Sequence, residues 1–239
     1  MVVSTGSILA QSSQSDSAYL HSNLAGVMSN FNKAIGQSSR LYSGHEYISY
    51  ARIIKGNALY PMNAETWEQG EVNYDGIVYE NVPMMYDIYK DLLVVLLYNH
   101  FSAYSLVSEK VHDFTFWGRH FVRIDADSLR NDKAGISSGF YEQLYGGNKV
   151  EVLARRSKSI QNSTSQATVL ETFFSEKNDY YIRKGSVYYK IGSKGAILDV
   201  LKDKKPVLQK YMRDNNIKYG NDPEAAMAAL ANYYDHLLN

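Results

Sequence analysis

Residues 71–99 read EVNYDGIVYENVPMMYDIYKDLLVVLLYN, and the pattern around one dipeptide, Asp75-Gly76, sets the fold class. Apolar and polar residues alternate on both sides of it, with Val72 and Tyr74 before and Ile77, Tyr79 and Val82 after. A period of two belongs to a strand with one buried face, and Asp-Gly accepts the positive φ angles of a type I′ turn, whose twist suits the strands it joins. The stretch therefore predicts a β-hairpin. Pro83 has no amide hydrogen for a ladder, which assigns it to a strand end, an edge or a bulge. A second reversal is expected at Tyr89-Lys90-Asp91. The apolar run over residues 92–98 then has the length and β-branched content of a strand covered on both faces. Three successive strands joined by short turns imply a meander.

The same signals recur downstream. VHDFTFWGRHFVRID, residues 111–125, is two alternating runs joined near Trp117-Gly118. Residues 139–160 turn at Gly146-Gly147-Asn148, and residues 179–191 turn at Lys184-Gly185-Ser186, each between aromatic or β-branched flanks. Strands joined locally in this way favour an antiparallel sheet over βαβ winding. Residues 157–167, rich in Ser, Thr, Gln and Asn, read as a mobile loop. Residues 41–60 are irregular, broken at Gly44 and Gly56, with one or two short strands.

Both ends differ from this middle. Residues 1–17, MVVSTGSILAQSSQSDS, read either as the remnant of a secretory signal or as a disordered tail, because a short apolar stretch ends in small residues but carries no basic start. Residues 18–37 place Leu20, Leu24, Val27, Met28, Phe31 and Ile35 at helical spacing. Near the C-terminus, Ser193 is positioned to cap a helix that turns Ile197, Leu198 and Leu201 inward, and Pro206 and Asp222-Pro223 mark two further helix starts. The last helix presents Met227, Leu230, Tyr234 and Leu237 on one stripe that needs a partner surface.

Composition narrows the chemistry. At 239 residues the chain is long enough to bury a core of its own. Lys plus Arg number 25 and Asp plus Glu 25, so no net field steers the chain towards nucleic acid. With Cys 0 there is no disulfide framework, thiolate nucleophile or cysteine zinc site. No segment approaches the ~20 apolar residues of a spanning helix. The 21 tyrosines suit half-buried strands, where the ring packs and the hydroxyl reaches water.

Individual motifs offer little catalysis. His112, Asp113, His120, Asp125 and Asp127 are metal-ligand types, but a two-residue turn at Trp117-Gly118 pairs Thr115 with His120 and puts His112 on the opposite face, while a three-residue turn pairs Phe116 with His120 and leaves His112 roughly 13 Å along the strand at ~3.4 Å per residue. Asp125 and Asp127 fail as a calcium loop, since Leu129, Arg130 and Ile136 occupy the required positions. No serine elbow is present, and GISSGF around Ser137 and Ser138 has the wrong spacing. Asp87 with Asp91, and Glu65 with Glu68, read as solvated turn residues. Arg155, Arg156 and Lys158 are the densest basic run, either a phosphate or headgroup site or the polar end of a strand. Tyr180, Tyr181, Tyr188 and Tyr189 fall on two strands of one hairpin, so one ring of each pair is expected in the core and the other on an outer face. These seven residues form the candidate binding surface.

YDGIVYENVPMMYD, GFYEQLYGG, LARRSKSI and YYIRKGSVYYKIGSKGAILDVLKDKK resemble recurring segments of an uncharacterised family of exported proteins from Gram-negative bacteria, over residues 41–237. The resemblance implies a periplasmic or outer-membrane-associated protein and brings no activity or catalytic residue with it. The expectation is an α+β, mostly β, fold: an antiparallel, Tyr-rich meander, curved or partly closed, with a C-terminal helical appendage. Its segments are residues 1–17, 18–192 for a helical segment plus sheet, and 193–239 for the helices. A noncatalytic binding or accessory protein of the cell envelope, without cofactor or metal and with a protein partner, is the leading reading. A hydrolase using dispersed carboxylates, or a carrier of a small apolar ligand, are the alternatives.

Overall fold

A computed structural model describes residues 27, 40–50, 54–61, 66–129, 134–165 and 169–237. The expected signal remnant and the helix over 18–37 lie outside the described residues, Val27 apart. The chain divides into two compact units, Met1–Arg40 and Leu41–Asn239, and the second holds the sheet and the C-terminal helices together.

Asp75 and Gly76 both have positive φ, 55° and 77°, so the type I′ turn forms between β4 (Glu68–Tyr74) and β5 (Ile77–Asp87). Asn81, at φ 55°, supplies the extra residue of a bulge between Val82, opposite Gly70, and Tyr79, opposite Val72. Pro83 follows that bulge and precedes Met84, where pairing with β6 (Leu92–Leu96) begins. Leu93 and Val95 enter one core face, and Val94 and Leu96 are buried on the other, so β6 is covered on both sides.

Strands β1 (His45–Glu46), β2 (Ile54–Lys55) and β3 (Leu59–Tyr60) precede this hairpin, and β7 (Ala103–Ser105) follows β6. Then come β8 (Val111–Phe116), β9 (Arg119–Ile124), β10 (Gly139–Gly146), β11 (Val150–Ser165), β12 (Val169–Lys184) and β13 (Val187–Ile191). Neighbours run β1-β7-β6-β5-β4-β8-β9-β10-β11-β12-β13, with β3 on β5 and β2 on β12. The sheet is antiparallel apart from the β2–β12 pair, and it does not close. From β4 to β13 one step is not local: after β7 the chain returns past the whole meander to lay β8 beside β4. Trp117 and Gly118, at φ 52° and 67°, turn β8 into β9 in the two-residue register, with Thr115 opposite His120.

Residues 157–165 correct the sequence reading, residues 166 and 167 lying outside the described residues. Instead of a loop, β11 and β12 pair without interruption from Val150↔Lys184 to Ser165↔Val169, a ribbon about 50 Å long at ~3.4 Å per residue. Ser and Thr are compatible with a strand, and a ladder needs only backbone partners; the polar composition reflects side chains exposed at Ser159 and at residues 161–163.

The main core is aromatic. Tyr86 meets Phe114, Phe121 and Phe140 edge-on at 5.3, 5.3 and 6.0 Å, and Phe114 stacks on Phe121 at 4.8 Å. A second core lies under the helices α1 (Lys194–Val200), α2 (Lys205–Asp214) and α3 (Pro223–His236). Ser193 and Asp222 cap α1 and α3 by accepting from Ala196 and Ala225. Ile197, Leu198, Leu201, Leu208, Met212, Met227, Leu230 and Tyr234 pack on Val150, Val152, Ile182 and Ile191. Leu237 stays exposed, so the α3 stripe ends one turn earlier than the spacing suggests. Asp235 is buried and accepts from the amides of Lys149 and Asn148, pinning α3 to the β10–β11 turn.

Candidate functional site

Residues 47–50 and 54–59 form a strap, tied to the sheet by side chains that the sequence reading left in solvent. Asp87 is 0% exposed. Its Oδ2 accepts from the hydroxyls of Tyr47 and Tyr50 at 3.0 and 2.6 Å, and its Oδ1 accepts from the amides of Tyr89 and Lys90 at 2.9 Å each. Lys158 Nζ donates to the carbonyls of Leu59 and Asn57 at 2.6 and 2.9 Å, while the Ile88 amide donates to Ala58 at 2.9 Å. Burial pulls the Lys158 ammonium below its ordinary pKa, against Glu176 and Asp87. Burial also pushes the Tyr47 and Tyr50 hydroxyls well up, with Asp87 adding to it.

Between strap and sheet lies a cleft of about 550 Å³, lined among others by Tyr47, Tyr50, Lys55, Asn57, Met85 and Phe174. Tyr50, Tyr89 and Phe174 form a triangle of edge-to-face rings with centroids 5.3–5.7 Å apart. Lys90 Nζ lies 4.8 Å from the Tyr50 ring centre, and Lys55 pairs with Glu171 at 2.6 Å. Among the described residues the lining holds neither carboxylate nor imidazole. Such a wall combines ring and thioether surface with the polar groups of Ser49, Lys55 and Asn57.

Beside the strap, the basic run builds an interior clasp. Arg156 is 3% exposed. Its Nε donates to Glu142 Oε2 at 2.7 Å, and its Nη1 and Nη2 donate to the two oxygens of Glu224 at 2.6 and 2.9 Å. Glu142 also takes Arg119 and, at 3.1 Å, the Tyr60 hydroxyl. Tyr180 donates to Glu224 at 2.7 Å. Two guanidinium groups thus meet two carboxylates, joining β9, β10 and β11 to the first turn of α3. Burial lowers the Arg156 pKa, but Glu224 and Glu142 outweigh it and the guanidinium is raised. The hydrogen bonds from Arg156 hold Glu224 below the usual carboxylate range against burial, and Tyr180 is pushed up to about 12 by burial and Glu224. Arg155 reaches Asp91 at 2.9 Å and the Phe140 carbonyl at 2.8 Å; Asp91 also takes the Tyr86 hydroxyl at 2.5 Å. Gly139, at φ 144°, leaves the space this pair fills, since a Cβ there would lie 2.1 Å from Arg155 and 2.3 Å from Asp91.

The candidate surface is therefore redistributed. Arg155, Arg156 and Lys158 form no solvent-facing basic patch, and Asp87 and Asp91 are structural acceptors, not solvated turn residues. Tyr181 and Tyr188 are buried against Tyr141 and Leu153 on one face of the ribbon's base. Tyr180 and Tyr189 pack under the C-terminal helices on the other, so no outer aromatic row exists there. The helices cover the second face, which alternation alone left open. His120 bonds Thr115 at 3.0 Å and Asp113 bonds Asn73 at 3.1 Å. His112, Asp125 and Asp127 line a separate cleft of about 470 Å³ with Arg123 and Ser138, where Asp125 caps the turn Ala126–Ser128. Among the described residues no group of three or more His, Asp or Glu is placed to hold a metal ion. Tyr47, Tyr50, Met85 and Phe174 escaped the sequence reading; the pair Phe173-Phe174 inside a polar strand was the one available signal of a covered face.

These ionisations predict a pH profile. The Tyr47, Tyr50, Tyr60, Tyr86 and Tyr180 hydroxyls all ionise at higher pH in the fold than in the unfolded chain. Their contribution is complete below pH ~10 and is lost as pH rises towards the folded values, because the unfolded chain then gives up its protons first. Asp179, Asp203, Glu224 and Asp235 are shifted down, so theirs is complete above pH ~4 and is lost as pH falls through the folded values. Urea midpoints are expected to be level between these limits and to fall beyond both; a profile still level at pH 11 contradicts the tyrosine assignment.

The chain matches no protein-family model, no curated protein and no solved structure.

Proposed function

We propose that this is a noncatalytic binding protein of the bacterial cell envelope, and that the strap cleft seats an aromatic or apolar group of its ligand or partner. The observation that carries the reading is the lining: Tyr47, Tyr50, Met85 and Phe174 supply ring and thioether surface, and among the described residues no carboxylate or imidazole joins them. Hydrolysis by paired carboxylates needs one acid held neutral near pH 7 and one free base. Asp87, Asp91 and Glu142 instead spend their oxygens on tyrosine, arginine and amide donors. Support for the envelope comes from the resemblance over residues 41–237 and from the apolar start that ends at Ala10-Gln11.

The test is affinity isolation of the tagged full chain from native envelope extract, with mass spectrometry for bound proteins and small molecules, beside a Met85→Trp variant that fills the cleft. A stoichiometric companion lost from the variant, with the circular dichroism spectrum unchanged, is the expected result. A chain recovered alone, or one that keeps its companion when the cleft is filled, overturns the reading.

A further inference from the structure

The turn between β6 and β7 carries Phe101 at 90% exposure, above every other exposed large apolar residue among those described, with Tyr98 beside it at 53%. An apolar ring so displayed on a loose loop would mean little, but this turn is closed on itself. Leu97 donates to the Ser102 carbonyl at 2.8 Å, His100 to Leu97 at 2.9 Å, and Asn99 Oδ1 accepts from Phe101 and Ser102 at 2.9 and 3.0 Å. The bonding holds His100 at φ 56° and keeps both rings outward. Next to it, the Tyr47 amide donates to Ala103 at 2.8 Å, and Ile48, 75% exposed, follows directly in the chain.

Formal charge is scarce at this tip. From residue 92 to residue 108 there is no Asp, Glu, Lys or Arg, and none from 47 to 50. The turns after β4, β5, β8, β10 and β12 carry or adjoin Asp75, Asp91, Arg119, Lys149 and Lys184 respectively; residues 159–170, around the turn after β11, are uncharged too but polar in their Ser, Thr, Asn and Gln. Glu46 of β1 faces Tyr104, three residues along from Phe101. Apart from His100 and Tyr98, the turn holds no ionisable side chain to desolvate on entering an apolar phase. Its size argues against a protein partner: three side chains at ~150–200 Å² apiece offer about 500 Å², short of the ~800 Å² per partner of a standard interface. A protruding phenylalanine next to a tyrosine, whose hydroxyl remains at headgroup level, fits the boundary of a bilayer.

We propose that the tip formed by Tyr98, Phe101 and Ile48 is a membrane-docking element that inserts into the interfacial layer of a lipid surface. It goes beyond the cleft reading and stands without it. Insertion is apolar, so it is insensitive to salt and to the sign of the lipid charge.

The test is co-sedimentation of the full chain with large unilamellar vesicles of phosphatidylethanolamine and phosphatidylglycerol, at 0.15 M and 1 M NaCl. The wild-type chain is expected to partition equally at both, and Phe101→Ser with Ile48→Ser to lower the partition about tenfold or more while the circular dichroism spectrum is unchanged. Phe101→Trp is expected to shift its emission to the blue on vesicle addition. Met85→Trp in the cleft leaves partitioning intact, which separates this proposal from the cleft. No wild-type partition, binding that 1 M NaCl abolishes, or a tip variant that binds like wild type overturns it. So does a wild-type dimer in sedimentation velocity that the tip variant disperses, which would make the tip a contact between copies.

Discussion

Arg156→Met is expected to destabilise the fold by about 3 kcal/mol, the cost of taking three charge-assisted hydrogen bonds from Glu142 and Glu224 inside the fold. Methionine keeps most of the side-chain volume, so the loss reports charge and hydrogen bonding and not a cavity. Glu142, itself buried, keeps Arg119 and Tyr60 but loses the Nε bond, and Glu224 loses both guanidinium donors. Arg156→Lys retains the charge without the planar fork that spans Glu142 and Glu224, and falls between the two. Because Glu224 sits in the first turn of α3, the same change should release that helix first. Amide exchange of residues 225–234 is expected to speed up more than that of β5 and β6. Urea denaturation measures the first effect and hydrogen exchange the second. A loss below ~1 kcal/mol, the range of exposed ion pairs, would mean that the clasp is solvated.

Asp87→Ala is the second large effect. Four donors converge on this carboxylate, two tyrosine hydroxyls from the strap and two amides from the turn after β5. At ~1–3 kcal/mol for each buried donor left unsatisfied, with the hydroxyls free to rotate towards water, the expected cost is about 3 kcal/mol. Unlike Arg156→Met, this change should also empty the candidate site, since Tyr47 and Tyr50 lose the acceptor that fixes their rings in the cleft wall. Asp87→Asn keeps one acceptor oxygen and should recover part of the stability. Calorimetric unfolding beside capture from envelope extract separates the two consequences. Full stability in Asp87→Ala would show that the strap is held without it, with Lys158 and the Ile88–Ala58 hydrogen bond sufficient.

Local chemistry carried the elements. Asp75-Gly76 and Trp117-Gly118 adopt the positive φ angles their turns need, Ser193 and Asp222 cap their helices, and residues 92–96 form a strand buried on both faces. Each of these follows from backbone sterics or from a period of two, which act within a few residues and so can be read along one chain. Residues 157–165 show the limit of such reading. Their polarity reports that side chains face solvent, whereas strand pairing depends on a backbone partner, here β12, that composition does not reveal.

Tertiary structure alone decided the placement of charge and the faces of the sheet. Arg155, Arg156 and Lys158 look like any surface run until β11 is flanked by Asp91, by Glu142 and Glu224, and by the carbonyls of Asn57 and Leu59, partners 64 to 101 residues away in the chain except for Glu142. The return of β8 to β4 creates the Tyr86, Phe114 and Phe121 core, and the helices turn Tyr180 and Tyr189 from surface into interior. A charged or amphipathic side chain takes its burial from what is laid against it, and periodicity specifies that a face exists without specifying what covers it.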